Sequence, residues 1–350
     1  MEEAFQMKIL TLYDKSGPKY HRCLLPCFLM PGVELLVNHQ IEEDQVKDVD
    51  IVFINRIIPN SALQTLLDLR KKYGFKFIVD FDDHWQLDPD HYLYDMYNYY
   101  RASELMEAYI WEADGVTVTH ERLADEVRRI NPNVCIVPNA IPRFGQFLVK
   151  RSPSPFTRLF WAGGVTHKRD IQLLANPIKR LNKDFLMVLG GFVPDNPEYK
   201  AMATAFTNGG RLKHNLIKSL PVDSYYHAYS ECDIALIPLR ETRFNSFKSN
   251  LKILEAANIG ANVIISNVHP YKDFPFVNYV EKQGDWCYHI ANLINNPEKA
   301  KEQAEALRAY CDEHFNFDKI NEKRKQFFED VRSEQTKARE VPAEIQHAVS

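Results

Sequence analysis

The clearest chemical pattern in this chain is a short segment in which Lys248, Ser249, Lys252 and Glu255 recur at helical spacing. Lysines in the first turn of a helix, beside its unpaired backbone N–H groups, suit an anion such as phosphate. Glu255 follows Lys252 by three residues and shares its helical face, and its carboxylate can accept hydrogen bonds from a diol. A phosphate and a diol together indicate a nucleotide. The spacing also fits a solvated face of ion pairs, and this alternative stays open.

Buried strands are predicted on both sides of this segment, at Asp233–Leu239 and Asn262–Ser266, because both runs are mostly apolar. We expect a helix between them that begins at Ser249 or Asn250, either of which can cap it. Gly260 can end this helix in the left-handed conformation. The predicted phosphate site therefore lies at a helix N-terminus that follows the carboxyl end of a strand.

A second group of titratable residues, Asp82, Asp83 and His84, directly follows the predicted strand Lys76–Phe81. In a partly dehydrated setting beside Trp85, neighbouring carboxylates raise one another's pKa, which makes a general base or acid plausible. The alternative is an aspartate that caps the next turn, with His84 exposed. We expect no metal here, because adjacent aspartates point in different directions and no third ligand is in register.

Two glycines and two cations follow the first predicted strand of the second half of the chain. Gly163 and Gly164 allow a ligand to approach the backbone closely, and Lys168 and Arg169 open the next helix. Both cations can neutralise a diphosphate through charge-assisted hydrogen bonds. A glycine turn with surface charges is the alternative.

The loop after the first predicted strand of the chain contains Gly17 and Arg22, which we assign to the same phosphate-binding group. The Arg22 guanidinium is the candidate for reaching the phosphates from the first domain. A solvated arginine on an amphipathic helix is an equally good interpretation.

Tyrosines crowd the segment that follows the Asp82-Asp83-His84 group. Aromatic rings stack on sugars and bases, but aromatic stripes more often pack in a core or a lid, so packing is favoured here. The residues concerned are Tyr92, Tyr94, Tyr97, Tyr99 and Tyr100.

Composition indicates an intracellular protein with two domains. The 350 residues, 45% of them hydrophobic, suffice for two cores of ordinary size. A net charge of −4 argues against blanket neutralisation of nucleic-acid phosphates, although a local basic groove is not excluded. Six scattered cysteines are typical of reduced cytosolic thiols, and no apolar run reaches membrane-spanning length. The first residues lack a secretion signal, so a cytoplasmic location is expected.

Strand-like and helix-like segments alternate along the chain, which predicts the α/β class with two doubly wound, Rossmann-like sheets facing each other across a cleft. The Pro- and Ser-rich stretch Arg151–Pro155 breaks both periodicities and marks the domain boundary. We therefore assign residues 1–148 to an N-terminal Rossmann-like domain and 149–317 to a C-terminal Rossmann-like domain. Residues 318–335 form a last helix, and 336–350 form a tail expected to be disordered.

The order and spacing of these motifs resemble the family-four glycosyltransferases, which have the GT-B fold. The likeness covers nearly all of residues 7–332. It rests on a Ser-Gly-Pro…Arg loop, an Asp-Phe-Asp-Asp strand end, Val-Pro-Asn-Ala-Ile before the linker, Gly-Gly-Val-Thr-His-Lys-Arg-Asp, and Lys-Ser-x-x-Lys-x-x-Glu. The family's final helix crosses back onto the first domain, and a similar helix is expected here.

This resemblance implies retaining transfer of a sugar from a nucleotide-sugar donor, without a cofactor and usually without a metal. It makes residues 1–148 the acceptor-side domain and residues 149–317 the domain that binds the nucleotide sugar. It assigns the ribose hydroxyls to Glu255, the diphosphate to Lys168 or Arg169, and the base to the loop at Pro221 and Val222.

The chain departs from the family pattern at two positions. Phe247 stands where the family has the first of two paired glutamates, as in a subgroup in which Lys248-Ser249 takes over near the phosphates. Asp82 stands where the family has a histidine. We expect Lys248 and the helix start at Ser249-Asn250 to stabilise the leaving diphosphate, and Asp82 to orient a hydroxyl group.

Three other functions remain open at this point. They are a sugar-nucleotide epimerase or hydrolase of the same fold, a glycosyltransferase that acts on modified DNA bases, and a non-catalytic protein that binds sugar nucleotides. The sequence does not identify the hydroxyl acceptor, which could be a glycan, a lipid-linked sugar or another compound. Peripheral contact with a membrane is compatible with this sequence.

Overall fold

The computed structural model of the chain describes residues 7–56, 63–181 and 184–334. The chain divides into two compact units. The first takes the residues up to Asn139, apart from Asp90–Tyr92, together with those from Asp318 onward; the second takes Asp90–Tyr92 and Ala140–Phe317. The predicted linker Arg151–Pro155 therefore lies within the second unit. The tail predicted at 336–350 lies outside the described residues.

The first unit is built on a six-stranded parallel sheet in the order β2-β1-β3-β4-β5-β6. Its strands are mostly continuous apolar runs, as expected for a sheet with helices on both faces. The strands are β1 Met7–Leu12, β2 Val33–Asn38, β3 Ile51–Asn55, β4 Lys76–Phe81, β5 Gly115–Val118 and β6 Val134–Ile136.

In the described ranges, seven helices occur between these strands. The first two are joined by a π-helical stretch at Tyr20–Leu24. The helices are α1 Gly17–Lys19, α2 Leu25–Phe28, α3 Glu43–Val46, α4 Leu63–Tyr73, α5 Tyr94–Tyr99, α6 Ala102–Glu112 and α7 Glu121–Arg128.

The second unit contains another six-stranded parallel sheet, in the order β12-β11-β10-β7-β8-β9. Its strands are β7 Thr157–Ala162, β8 Phe185–Phe192, β9 His214–Lys218, β10 Ile234–Ile237, β11 Asn262–Ser266 and β12 Asn278–Val280. Its helices are α8 Lys168–Lys179, α9 Pro197–Phe206, α10 Leu251–Asn258, α11 Gln283–Asn295 and α12 Pro297–His314.

The last helix, α13 Phe317–Ser333, returns to the first unit. Phe327, Phe328 and Val331 belong to the same buried cluster as residues of β1, β3 and β4. The helix lies so close to β5 that a Cβ atom on Gly115 would be 2.7 Å from Phe327 Cζ and 2.9 Å from Val331 Cγ2. Only glycine fits at this position, so α13 is an integral part of the first core.

The predicted α/β class with two parallel sheets is confirmed. The strand that the apolar pattern predicts at Arg211–Ile217 begins later, at His214–Lys218, after a turn in which Gly209 and Gly210 adopt positive φ angles. Strand β8 runs beyond its predicted end at Leu189, and the short edge strand β12 was not predicted. None of the six cysteines forms a disulfide. Among the described residues, no helix has both the length and the apolar character needed to cross a membrane.

Candidate functional site

The order of the second sheet places a binding crevice between β7 and β10. These strands are neighbours, and the chain leaves them toward opposite edges of the sheet. In open α/β sheets, ligands bind outside the carboxyl ends of the strands at such a switch point. The loops at these two ends begin at Gly163 and Pro238, and they contain most of the residues that the sequence singles out.

Glycines allow the loops at this edge to approach each other. A Cβ atom on Gly163 would lie 2.9 Å from Trp161 Cζ2 and 3.3 Å from Lys252 Nζ. A Cβ on Gly191, which has a φ of +84°, would lie 3.6 Å from the carbonyl oxygen of Gly163. The structure therefore brings Gly163 together with Lys252, and adjacent Gly164 lies at the start of the same loop.

A single buried carboxylate ties the two loops together. Asp170 is 4% exposed, and its Oδ2 accepts a hydrogen bond from His167 Nδ1 at 2.9 Å. Its Oδ1 accepts from the Arg240 amide at 3.0 Å and from Asn245 Nδ2 at 3.3 Å. Burial alone would raise the pKa of Asp170, but these donors and the charge of Lys252 lower it. The sequence offers no signal for this role, since Asn245 lies 75 residues away.

The pKa of His167 is lowered by its burial and by the positive charge in the crevice. Burial, followed by the nearby charges of Lys252 and Lys248, lowers the pKa of His167 to about 4. The imidazole is therefore neutral near neutral pH. Because Nδ1 donates to Asp170, the proton lies on that nitrogen, and Nε2 is an acceptor.

Both predicted phosphate-binding lysines lie over aromatic rings. The Lys248 ammonium is 4.4 Å from the centroid of Phe244, and the Lys252 ammonium is 5.6 Å from the centroid of Trp161. Cation–π contacts of this kind hold an ammonium in place without neutralising its charge. Helix α10 begins just after Ser249, with Asn250 at its N-cap, and Gly260 beyond its end has a φ of +71°.

The other two predicted cations have carboxylate partners. Lys168 Nζ lies 2.5 Å from Glu198 Oε2, and Arg169 Nη1 lies 2.5 Å from Asp90 Oδ2. Arg240 Nη1 contacts the same Asp90 oxygen at 2.7 Å. These pairs are partly exposed and therefore weak. A phosphate at Lys168 or Arg169 would have to compete with these carboxylates.

Glu255 is held by tyrosines that the sequence interpretation missed. The side chain is buried, its Oε1 accepts a hydrogen bond from the Tyr225 hydroxyl, and its Oε2 accepts one from Tyr229 at 2.5 Å. The Tyr226 hydroxyl donates to the Glu255 carbonyl at 2.8 Å. Each carboxylate oxygen keeps a second lone pair for a ligand.

The loop assigned to the base lies next to these tyrosines in the chain. The Tyr225 amide donates to the Pro221 carbonyl at 2.7 Å, which closes a turn around Val222. The turn leads into a 3-10 helix, Tyr225–Glu231. Pro221, Val222 and Glu255 are thus linked through Tyr225. The run of tyrosines after Pro221-Val222 is the sequence signal that could have revealed this link to Glu255.

The pKa of Glu255 gives a pH prediction. Burial raises this pKa above its usual 4.5, against the lowering effects of Tyr225, Tyr229 and Lys252. The folded chain then holds the proton more tightly than the unfolded chain, so the contribution of Glu255 to stability is lost as the pH rises through its folded pKa. We expect the free energy of unfolding of wild type to fall, relative to Glu255→Gln, as the pH rises above the usual glutamate pKa of 4.5. Urea titrations of both proteins at several pH values measure these free energies of unfolding. A difference between the two proteins that does not change with pH would contradict the prediction.

In the first unit, an arginine pairs with both aspartates of the predicted acid–base group. Arg56 Nε donates to Asp82 Oδ1 at 3.0 Å, and Arg56 Nη2 donates to Asp83 Oδ2 at 2.9 Å. Burial would lower the pKa of Arg56, but the two carboxylates raise it. The structure therefore presents an ion-pair cluster in which Arg56 lies between Asp82 and Asp83, and proton chemistry at these aspartates stays a prediction.

His84 is placed differently from its predicted role in proton chemistry. It is 3% exposed and stacks on Trp85 with the ring centroids 4.5 Å apart. Its Nδ1 accepts from the Gln86 amide at 2.9 Å, as a capping group does. A buried imidazole in this setting holds the loop after β4 in place.

Arg22 also departs from its prediction as a phosphate ligand. It is 1% exposed, and its Nη2 and Nε donate to Asp80 at 2.7 and 3.0 Å. Its Nη1 donates to the Val137 carbonyl at 2.8 Å and to Asn139 Oδ1 at 3.1 Å. An arginine so enclosed stabilises the first core and has little surface for a ligand. Gly17 begins α1, and its assignment stays a prediction.

Within the described ranges, no group of three or more His, Cys, Asp or Glu side chains has an arrangement that could hold a metal ion. Metal-independent chemistry stays a prediction.

No protein-family model and no curated protein matches the sequence. Solved structures do match. A glycosyltransferase from Rickettsia africae has a TM-score of 0.66 at 13% identity, over 94% of this chain and 99% of that one. HepE from Anabaena, in complex with UDP-glucose, has a TM-score of 0.65 at 14% identity, over 94% and 100%. An α-glucosyltransferase in complex with UDP and a 13-mer DNA has a TM-score of 0.62 at 11% identity, over 92% of this chain and 99% of that one. With its two parallel sheets, this chain has the GT-B fold of these proteins.

Proposed function

We propose that this protein is a glycosyltransferase that moves a sugar from a nucleotide-sugar donor to a hydroxyl acceptor. The observation that carries the proposal is the crevice at the switch point of the second sheet. There, Lys252 lies against the Gly163 backbone, and the buried Glu255 carboxylate follows one helical turn later. The fold adds support, because HepE of the same fold is described in complex with UDP-glucose.

In this proposal the diphosphate lies between the loop at Gly163-Gly164 and the start of α10. Lys248 and Lys252 supply the positive charge, and the backbone N–H groups near Ser249 and Asn250 supply further donors. The ribose hydroxyls donate to the remaining lone pairs of Glu255. The base lies against the Pro221-Val222 turn.

Transfer requires the sugar–phosphate bond to break, which leaves negative charge on the departing diphosphate. Ammonium groups fixed in advance stabilise such charge as it develops, at no cost in reorganisation. Neutral His167, with Nε2 as acceptor, can receive a hydrogen bond from a sugar hydroxyl. In the first unit, Asp82 stays our candidate for contact with a hydroxyl group. Retention of configuration, membership of family four and independence from metal are part of the proposal.

The experiment that tests this proposal is a thermal-shift panel of UDP-, GDP-, ADP- and TDP-sugars on the full chain. We expect one nucleotide to raise the melting temperature, because a ligand at about 100 times its dissociation constant adds about 2.7 kcal/mol of stability. Free glucose 1-phosphate, which lacks the nucleoside, serves as the control. If none of the nucleotide sugars shifts the transition, the proposal is wrong. Conversion of the donor in the absence of any acceptor would instead identify an epimerase or hydrolase.

A further inference from the structure

Helix α13 contains a buried arginine that forms no ion pair with a carboxylate among the described residues. Arg324 is 3% exposed, and its Nη1 donates to Asn321 Oδ1 at 2.6 Å. Its Nε is also buried and has no hydrogen-bond partner within the described part of the chain. Arg22 and Arg158 are buried to a similar degree, and each pairs with an aspartate. Arg324 therefore needs a separate explanation.

The charges near Arg324 do not balance it. Burial, followed by the like charge of Arg22, lowers the pKa of Arg324 to about 10. The guanidinium therefore stays protonated at neutral pH. The one buried carboxylate that acts on it, Asp80, is already paired with Arg22 through two nitrogen atoms. Two buried guanidinium groups and one carboxylate leave one positive charge in the interior of the first unit.

Two thiols near Arg324 can donate hydrogen bonds but carry no negative charge. Cys23 and Cys27 are 0% and 1% exposed. Burial raises the pKa of Cys23 well above its usual value and that of Cys27 to about 12, although the charge of Arg324 acts in the opposite direction. Both thiols are therefore protonated at neutral pH. Weak S–H donors beside a guanidinium suit an anionic acceptor.

The enclosed setting favours a monatomic anion. Charges buried in folded proteins are paired, because a charge that leaves water without a partner costs much free energy. A water molecule could accept a hydrogen bond from Nε, but it would leave the charge unbalanced. A carboxylate or phosphate brings several oxygen atoms, and each of them needs a donor in the core. A monatomic anion accepts from N–H and S–H groups in any direction.

We propose that Arg324 binds a chloride ion in the core of the first unit. The ion accepts a hydrogen bond from Arg324 Nε and balances the guanidinium charge near Cys23 and Cys27. One turn earlier in α13, Asn321 Nδ2 donates to the Pro26 carbonyl of α2 at 2.9 Å. The bound ion therefore strengthens the packing of the last helix on the first unit. This site is independent of the proposed transferase activity.

The test is thermal unfolding of the full chain in sodium chloride and in sodium isethionate, whose anion is bulkier and has the same charge. An equal ionic strength of about 0.3 M makes the screening of surface charge equal. We expect the unfolding temperature of wild type to be about 2–4 °C higher in chloride, as for a ligand at about five times its dissociation constant. Equal unfolding temperatures in the two salts would overturn the proposal.

The variant Arg324→Met should lose this dependence on chloride, because it has no cation to balance. In isethionate it should unfold at the same temperature as wild type or higher, since it removes a buried charge without a counter-ion. An arginine that only packs would instead cost the same stability in both salts when replaced. Arg332→Met is the matched control, because it removes a cation of the same helix that is 42% exposed and already pairs with Asp50. This control should keep the chloride effect of wild type.

A second measurement needs no variant and holds even if Arg324→Met fails to fold. Bromide replaces chloride at halide sites and is located in crystals by its anomalous scattering. Crystals of wild type soaked in sodium bromide should show a bromide ion in hydrogen-bond contact with Arg324 Nε. Anomalous density without a peak beside Arg324 would overturn the proposal, as would a chloride effect that Arg324→Met retains in full.

Discussion

Replacing Lys252 by methionine should lower kcat/KM for the cognate nucleotide sugar by about 10²- to 10³-fold, the usual loss when one preorganised stabilising group is removed. The Lys252 ammonium lies 3.3 Å from the position of a Cβ atom on Gly163, beside the loop where the departing diphosphate is proposed to develop its charge. Methionine keeps the length and apolar stem of the side chain, so packing on Trp161 is retained. The measurement is the rate of nucleotide release at varied donor concentration.

Lys213→Met is the matched control for this variant. The Lys213 ammonium also lies over an aromatic ring, 4.0 Å from the Phe156 centroid, but it precedes β9 and so lies at the amino end of the sheet. This variant should keep full activity, and Lys252→Arg should keep a substantial part. Unchanged donor kinetics in Lys252→Met would remove the lysine from the proposed site.

Replacing Arg22 by methionine should destabilise the first unit by about 3–5 kcal/mol, because it leaves the Asp80 carboxylate buried without its cation. Asp80 is fully buried and also accepts hydrogen bonds from Thr117 and Asn55. Hydrogen exchange resolved by mass spectrometry should show loss of protection in β4, and donor affinity in the second unit should be unchanged.

The double variant Arg22→Met/Asp80→Asn provides the control, since it removes both charges of the pair. The double variant should be destabilised by less than the sum of the two single variants, because it leaves no unpaired charge behind. If Arg22→Met instead kept normal protection in β4 but bound the donor weakly, the original assignment of Arg22 to the phosphates would be restored.

The parts of this fold that follow from local patterns are predictable from the sequence. The sequence β10–α10–β11, with Gly260 after the helix, comes from two apolar runs, a stripe of leucines and a helix-ending glycine. The loops at Gly163 and Lys248 are placed at the same edge of the sheet by topology alone. Local periodicity suffices for the strands and helices because each depends on neighbours only a few residues away, and the edge of the sheet then follows from the alternation of parallel strands with helices.

The pairings within the site are not predictable in this way. Tyr229 reaches Glu255 from 26 residues away, and Arg22 reaches Asp80 from 58. Such contacts depend on which strands become neighbours, and a single sequence does not encode that locally. Tyr99 and Tyr100 are 80% and 69% exposed, although the sequence favours packing for them. This exposure is missed for another reason: the same aromatic spacing suits a buried stripe and an exposed one.

The position of Gly115 beneath Phe327 has a consequence for how the chain matures. The first unit cannot complete its core until α13 has left the ribosome, since that helix supplies Phe327, Phe328 and Val331. Residues 140–317 are synthesised in between, which at roughly 5–20 residues per second takes about 10–40 seconds. During that interval the apolar side chains of β1, β3 and β4 that pack on α13 lack their native cover, and a chaperone would find its binding site there.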